Sequence, residues 1–147
     1  MNAVDPLDPA MRRIADYFEQ LTPADLARLD EIYTEDARFK DPFNEVVGVP
    51  AIRRVFEHMY TSLDTPRFVV RDVIVQGAQC FLSWDFVFRM RRFDRSEQVI
   101  RGGSHLQLAA DGRIAMHRDY WDAAEELYEK LPLLGGLMRW LKRRAVQ

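Results

Sequence analysis

With 147 residues the chain has the size of one ordinary domain, and we expect a single domain spanning 1–147. Apolar residues make up 48% and charged residues 30%, a balance that excludes a disordered or fibrous protein. The 21 basic and 23 acidic residues leave a net charge of −2, which removes the broad attraction that most nucleic-acid binders use, so no nucleic acid is expected as a partner.

The opening segment Met1 to Pro9 is acidic and broken by Pro6 and Pro9, unlike a signal peptide. No apolar run has the length of a membrane span. The expectation is therefore a cytoplasmic protein without integral membrane association. Cys80 stands alone and cannot close an internal disulfide; among Phe81, Leu82 and Trp84 it reads as a buried, inert thiol.

Met11, Ile14, Ala15, Phe18 and Leu21 fall on one stripe of a first helix, with Tyr17 at its edge. Thr22-Pro23 caps a second helix whose stripe is Leu26, Leu29, Ile32 and Tyr33. The period changes to two from Ala37 to Phe43, which predicts a strand with Ala37, Phe39 and Asp41 on one face, closed by Pro42. Gly48 and Pro50 start a third helix carrying Ile52, Val55, Phe56, Met59, Tyr60 and Leu63. Four strands follow, over 68–76, 79–90, 99–109 and 113–121, separated by Gly77-Ala78, residues 93–96 and Asp111-Gly112. A last helix runs from about Ala123 to Arg144, interrupted near Pro132 and Gly135-Gly136. Helices followed by a meander give an α+β class, with helices on one face of a curved sheet.

A two-residue turn at Asp111-Gly112 sets Leu106 opposite His117, Ser104 opposite Asp119 and Gly102 opposite Trp121. Leu106 and Leu108 mark that face as interior. Ile114, Met116 and Tyr120 then lie on the outer face, which is too apolar for solvent alone and predicts a covering second subunit.

An aspartate on an interior face is costly unless paired, so Asp41 and Asp119 read either as general bases in a cavity or as bland structural groups. For Asp41 the bland role is a turn initiator before Pro42; for Asp119 it is an ion pair with Arg101 or Arg118. His117, inward beside Asp119, reads as a proton shuttle or as part of the pocket wall. His58 reads as a surface residue and His105 as outward-facing. This scatter gives no metal spacing, so neither metal nor cofactor is expected. Gly102-Gly103, inside a strand, relieves crowding or marks a bulge. The apolar then basic tail, Leu131 to Arg144, reads as a cover over the pocket mouth or a dimer, or as a membrane-surface segment.

The run Tyr33-Thr34-Glu35-Asp36-Ala37-Arg38-Phe39-Lys40-Asp41-Pro42-Phe43, the Gly48 helix, and Asp111-Gly112-Arg113-Ile114 ending in Tyr120-Trp121 resemble the SnoaL-like and ketosteroid-isomerase-like branch of the nuclear transport factor two superfamily. The resemblance spans about residues 11 to 130. It implies a cone-shaped α+β barrel, a strongly bent, mostly antiparallel sheet wrapped around three helices, plus a C-terminal helix. It also implies an apolar pocket and a homodimer through the outer sheet face.

By that resemblance the general base falls on Asp41, the oxyanion-binding tyrosine on Tyr17, a supporting tyrosine on Tyr33 and the pocket tryptophan on Trp121. Ser104 replaces the family's protonated aspartate, and Phe56 replaces a second supporting tyrosine. The resulting expectation is cofactor-independent isomerase or cyclase chemistry on an apolar carbonyl ligand, with Asp41, Tyr17, Asp119 and His117 as catalytic residues. Tyr33, Val55, Phe56, Met59, Trp84, Ser104, Leu106 and Trp121 form the binding walls. A non-catalytic ligand-binding or dimeric module is the alternative. The stretch Arg118 to Asp122 also resembles limonene-epoxide-hydrolase-like proteins, with Asp119 and Asp85 as the two aspartates and Ser83 in place of the arginine. The apolar alternate face of Leu82, Trp84, Phe86, Phe88 and Met90 pushes Asp85 outward.

Overall fold

The computed structural model describes residues 8–92, 94–126 and 132–145. Helix α1 (Pro9–Glu19) buries Met11, Ile14, Ala15, Tyr17 and Phe18, and Asp8 caps it by accepting a hydrogen bond from the Ala10 amide at 2.8 Å. The second helical segment is a 3₁₀ stretch, Pro23–Arg28, running into one α turn, α2 (Leu29–Ile32). A full α-helix was expected here. Its apolar positions Leu26, Leu29 and Ile32 recur every third residue, which is the 3₁₀ period.

Strand β1 (Tyr33–Lys40) starts four residues earlier than the alternation suggested. Asp41 lies just beyond it, followed by a short unforeseen strand β2 (Glu45–Val47) and helix α3 (Val49–Ser62). Strands β3 (Leu63–Gln76), β4 (Gln79–Met90), β5 (Glu97–Leu108) and β6 (Ile114–Tyr120) complete one bent, unclosed six-stranded sheet in the order β2-β1-β6-β5-β4-β3. Every pairing is antiparallel except β1 with β6, which sets Phe39 beside His117.

The chain ends in α4 (Ala123–Glu126) and α5 (Pro132–Ala145). Gly135 and Gly136 lie within α5 and do not interrupt it. The part of the expected tail at Leu131 and most of the opening segment lie outside the described residues. Among the described residues no helix is long and apolar enough to cross a membrane.

The core lies between α1, α3 and the inner sheet face, where Met11, Ile14, Leu29, Ile52, Leu106 and Ile114 lose all solvent contact. Ile114 corrects the expectation that placed it outside. The turn after β5 is one residue longer than foreseen: the Ala109 amide donates to the Arg113 carbonyl at 2.8 Å, and Gly112 takes φ +87, a value that favours glycine. A bulge then shifts the register between Leu108↔Ile114 and Gln107↔Met116. The two deviations cancel, so Leu106↔His117 and Ser104↔Asp119 pair as expected while Ile114, before the bulge, turns inward.

Candidate functional site

The bulge has a chemical result, because it keeps His117 and Asp119 on the inner face beside Ser104. A row of polar side chains there joins four strands. The Trp84 indole N–H donates to Ser104 Oγ at 2.8 Å, and the Ser104 hydroxyl donates to Asp119 Oδ1 at 2.5 Å. His117 Nε2 lies 2.6 Å from the same Oδ1, and the Tyr33 hydroxyl lies 2.6 Å from His117 Nδ1. Gly102 makes this possible on β5. A Cβ there would fall within 3 Å of the Trp84 ring, so only glycine lets the indole lie across the strand. The pair Gly102-Gly103 thus relieves crowding; the β4–β5 register runs through it unbroken.

With the imidazole neutral, hydrogen-bond accounting gives this chain one direction. Burial pushes the Tyr33 phenol well above its ordinary range, reinforced by the nearby Asp119 charge, so Tyr33 keeps its proton and donates it to Nδ1. The imidazole then carries its proton on Nε2 and donates to Asp119. Donors from both sides converge on one carboxylate oxygen. Aromatic rings of Tyr33, Phe39 and Phe18 surround the imidazole, the Phe39 centroid 4.8 Å away. Oδ2 of Asp119 makes no hydrogen bond among the described residues, and the side chain keeps 16% of its exposure.

Asp119 also marks the junction of two cavities. A small chamber of about 30 Å³ is lined by Ser104, His117 and Asp119 together with Phe18, Phe68 and Leu82. A larger pocket of about 430 Å³ shares Phe56, Phe68, Trp84 and Asp119 with it. Asp41, Val55, Met59 and Trp121 line that pocket, and Trp121 meets Phe43 edge to face at 5.5 Å. Phe86, Phe88 and Met90 add wall from the alternate face of β4, and Phe39 from β1. His58, exposed as foreseen, reaches its rim beside Ser62, 3.3 Å away.

Asp41 is consumed locally. Its Oδ1 accepts from the amides of Phe43 at 2.8 Å and Asn44 at 2.6 Å, and both carboxylate oxygens accept from Asn44 Nδ2 at 3.1 Å. This is the turn-initiating role, performed at the edge of the pocket.

Tyr17 does not join the others. Its hydroxyl donates to the Asp25 carbonyl at 2.7 Å, and it lines a separate cleft between α1 and the 3₁₀ segment. Burial pushes its phenol up to about 12, with the Asp25 charge adding to the effect. Leu106 is wholly buried in the core and touches neither cavity, and Tyr33 reaches the site only through His117. Asp85 lies on the outer face, where Arg71 holds it through bonds of 2.6 and 3.0 Å, so it does not form a pair with Asp119.

The wall residues missed as site members include Phe39, Phe68, Phe86, Phe88 and Met90, and the Tyr33–His117 contact was missed with them. Phe68 begins the stretch read as a strand, and its alternation with Val70 was available as a signal. The Tyr33–His117 bond spans 84 positions and depends on parallel pairing of the first long strand with the last, which no spacing rule reveals. Among the described residues no group of three His, Cys, Asp or Glu could hold a metal ion. Cys80 is buried, and burial pushes its thiol up, away from the reactive thiolate.

Solved structures share this architecture. A candidate SnoaL-like polyketide cyclase from Jannaschia sp. CCS1 superposes with a TM-score of 0.71 at 14% identity, covering 85% of this chain and 94% of its own. A protein with a ketosteroid isomerase-like fold from Catenulispora acidiphila DSM 44928, in complex with trimethylamine, gives 0.68 at 12% identity, with 81% and 89% covered. An epoxide hydrolase of the limonene-epoxide-hydrolase-like type from M. tuberculosis gives 0.63 at 14%, with 80% and 79% covered. At these identities the likeness is one of fold. No curated protein matches the chain. The family model of the SnoaL-like domain matches residues 14–117, most of the sheet and the helices it wraps, and the chain therefore belongs to the SnoaL-like family.

Proposed function

We propose that this protein is a cofactor-independent acid–base catalyst of the isomerase or cyclase type, in which Asp119 moves a proton on an apolar carbonyl ligand seated in the 430 Å³ pocket. One observation carries the reading: a carboxylate stands between two cavities with Oδ1 fixed by Ser104 and His117 and with Oδ2 uncommitted. His117, held as one tautomer by Tyr33, orients the carboxylate and offsets the charge change when Asp119 takes up a proton. The apolar walls exclude water from the reacting carbon.

This moves the base from Asp41, whose lone pairs its own turn occupies, to Asp119. Tyr17 and Ser104, the anticipated oxyanion donors, are both engaged: one on Asp25, the other on Asp119. That engagement favours the second reading, a ligand-binding module without turnover. Deuterium incorporation from D₂O into a small β,γ-unsaturated ketone separates them. Catalysed exchange lost in Asp119→Asn supports the catalyst; no exchange across a panel of ketones leaves the binding module.

We also propose a homodimer through the outer sheet face, where Ile74, Phe81, Val99 and Tyr120 are substantially exposed. Sedimentation at micromolar concentration checks this, and a monomer refutes it.

A further inference from the structure

The pocket walls carry an uneven chemistry. Among the described lining residues there is no lysine and no arginine, although the chain has 21 such residues, while two aspartates are present. Phenylalanine and tryptophan rings share the remaining wall with aliphatic side chains. Phe68 and Trp84 meet edge to face at 5.7 Å at the Asp119 end, and Phe43 and Trp121 do so at 5.5 Å at the Asp41 end.

The hydrogen-bond donors are equally telling. Trp84 donates to Ser104, Ser104 to Asp119, Tyr33 to His117, and Asn44 to Asp41. What the walls offer a ligand is therefore mainly π faces and carboxylate oxygen, with donor capacity left at the Trp121 indole N–H and at the exposed His58–Ser62 pair on the rim. An anionic ligand would meet unfavourable charge from Asp41 and Asp119. An organic cation meets the reverse, because aromatic faces attract ammonium groups, most strongly when desolvated, and a carboxylate supplies the counter-charge.

We propose that the pocket binds a ligand bearing a cationic nitrogen, an alkylammonium or protonated amine on an apolar body, with the cation beside Asp119 and the rings of Phe68 and Trp84. This names the ligand class of the site read above as catalytic, but it rests on the pocket's charge and aromaticity and not on turnover.

The test uses isosteric probes, choline and its neutral carbon analogue 3,3-dimethylbutan-1-ol, with benzyltrimethylammonium as a larger cation and benzoate as an anion. Trp140→Phe is the background, so that indole fluorescence reports the two pocket tryptophans, Trp84 and Trp121; calorimetry gives the affinities. Choline is expected to bind at least tenfold more tightly than its carbon analogue, benzyltrimethylammonium more tightly still, and benzoate least. Asp119→Asn should reduce cation binding several-fold while sparing the neutral probe, and Asp41→Asn should have a smaller effect of the same sign. Thermal unfolding of each variant verifies that it is folded. Equal or tighter binding of the neutral analogue, preference for benzoate, or no saturable binding of either cation up to millimolar concentration overturns the proposal. A cation preference without deuterium exchange would fail the catalytic reading alone; exchange without a cation preference would fail this one alone.

Discussion

Two aspartates edge the same pocket, yet their partners differ in kind. Asp41 draws every hydrogen bond from residues within three positions of itself, whereas Asp119 is held by Ser104 from β5 and by His117, which Tyr33 fixes from the start of β1. A carboxylate satisfied by its own turn is a local structural device, formed whenever that turn forms. One held by Ser104 from the neighbouring strand and by a histidine that a third strand bonds exists only in the folded sheet, and its second oxygen accepts no hydrogen bond among the described residues. The contrast shows that position on a pocket wall and chemical availability are separate properties.

The largest expected effect separates the two directly. With the ketone probe, Asp119→Asn should reduce exchange by about 10²–10⁴-fold, the usual contribution of a positioned general base. Asp41→Asn should change it by less than about tenfold, and the reverse ranking, read by NMR detection of deuterium uptake, would invert the comparison.

Tyr33→Phe sharpens the long-range half of the contrast. Removing the hydroxyl leaves buried His117 Nδ1 without its donor, at a cost of about 1–3 kcal/mol in chemical denaturation. Nitrogen NMR should find His117 as the Nε2-protonated tautomer in the wild type and as a mixture in the variant. An unchanged tautomer with unchanged stability would mean that Tyr33 does not position the imidazole.

Alkaline unfolding reads the buried tyrosines. The folded state holds the Tyr17 proton up to about 12 while the unfolded chain loses it near 10, so the folded state binds more protons in that window. Stability is full below pH 10 and should fall as pH rises from 10 to about 12, by about 1.4 kcal/mol per pH unit for each such tyrosine. Tyr17→Phe should flatten the decline; an unaltered slope would show that Tyr17 titrates normally.

The smallest effect belongs to the local turn. Asp41→Ala removes acceptors that are partly exposed to water, and should lower stability by about 1 kcal/mol without changing the His117 tautomer. A tautomer change in that variant would tie the two carboxylates together and blur the distinction between them.

Much of the architecture was legible because it rests on short-range rules. Helical stripes at Met11 to Phe18 and at Ile52 to Phe56, alternation along β4 and the Asp-Gly turn place the elements and bring Ser104, His117 and Asp119 to one face. The resemblance carried in Tyr33 to Phe43 and Tyr120-Trp121 supplied the bent, unclosed sheet packed on helices. The inward turn of Ile114 was not legible, because a bulge costs one residue of register that no side-chain pattern records. Nor was the separation of Tyr17 from Asp41, since the tyrosine's rotamer and its bond to the Asp25 carbonyl follow from how the 3₁₀ segment packs on α1.

The sequence by itself determined most of the elements and, away from the β6 bulge, which residues share a strand face, because helix and strand periodicity are properties of adjacent backbone units. Only the tertiary structure decided that Asp119, and not Asp41, has an uncommitted oxygen. That outcome depends on β1 pairing in parallel with β6 and on Gly102 letting Trp84 reach Ser104, contacts between distant segments whose geometry is set when the sheet bends around its helices.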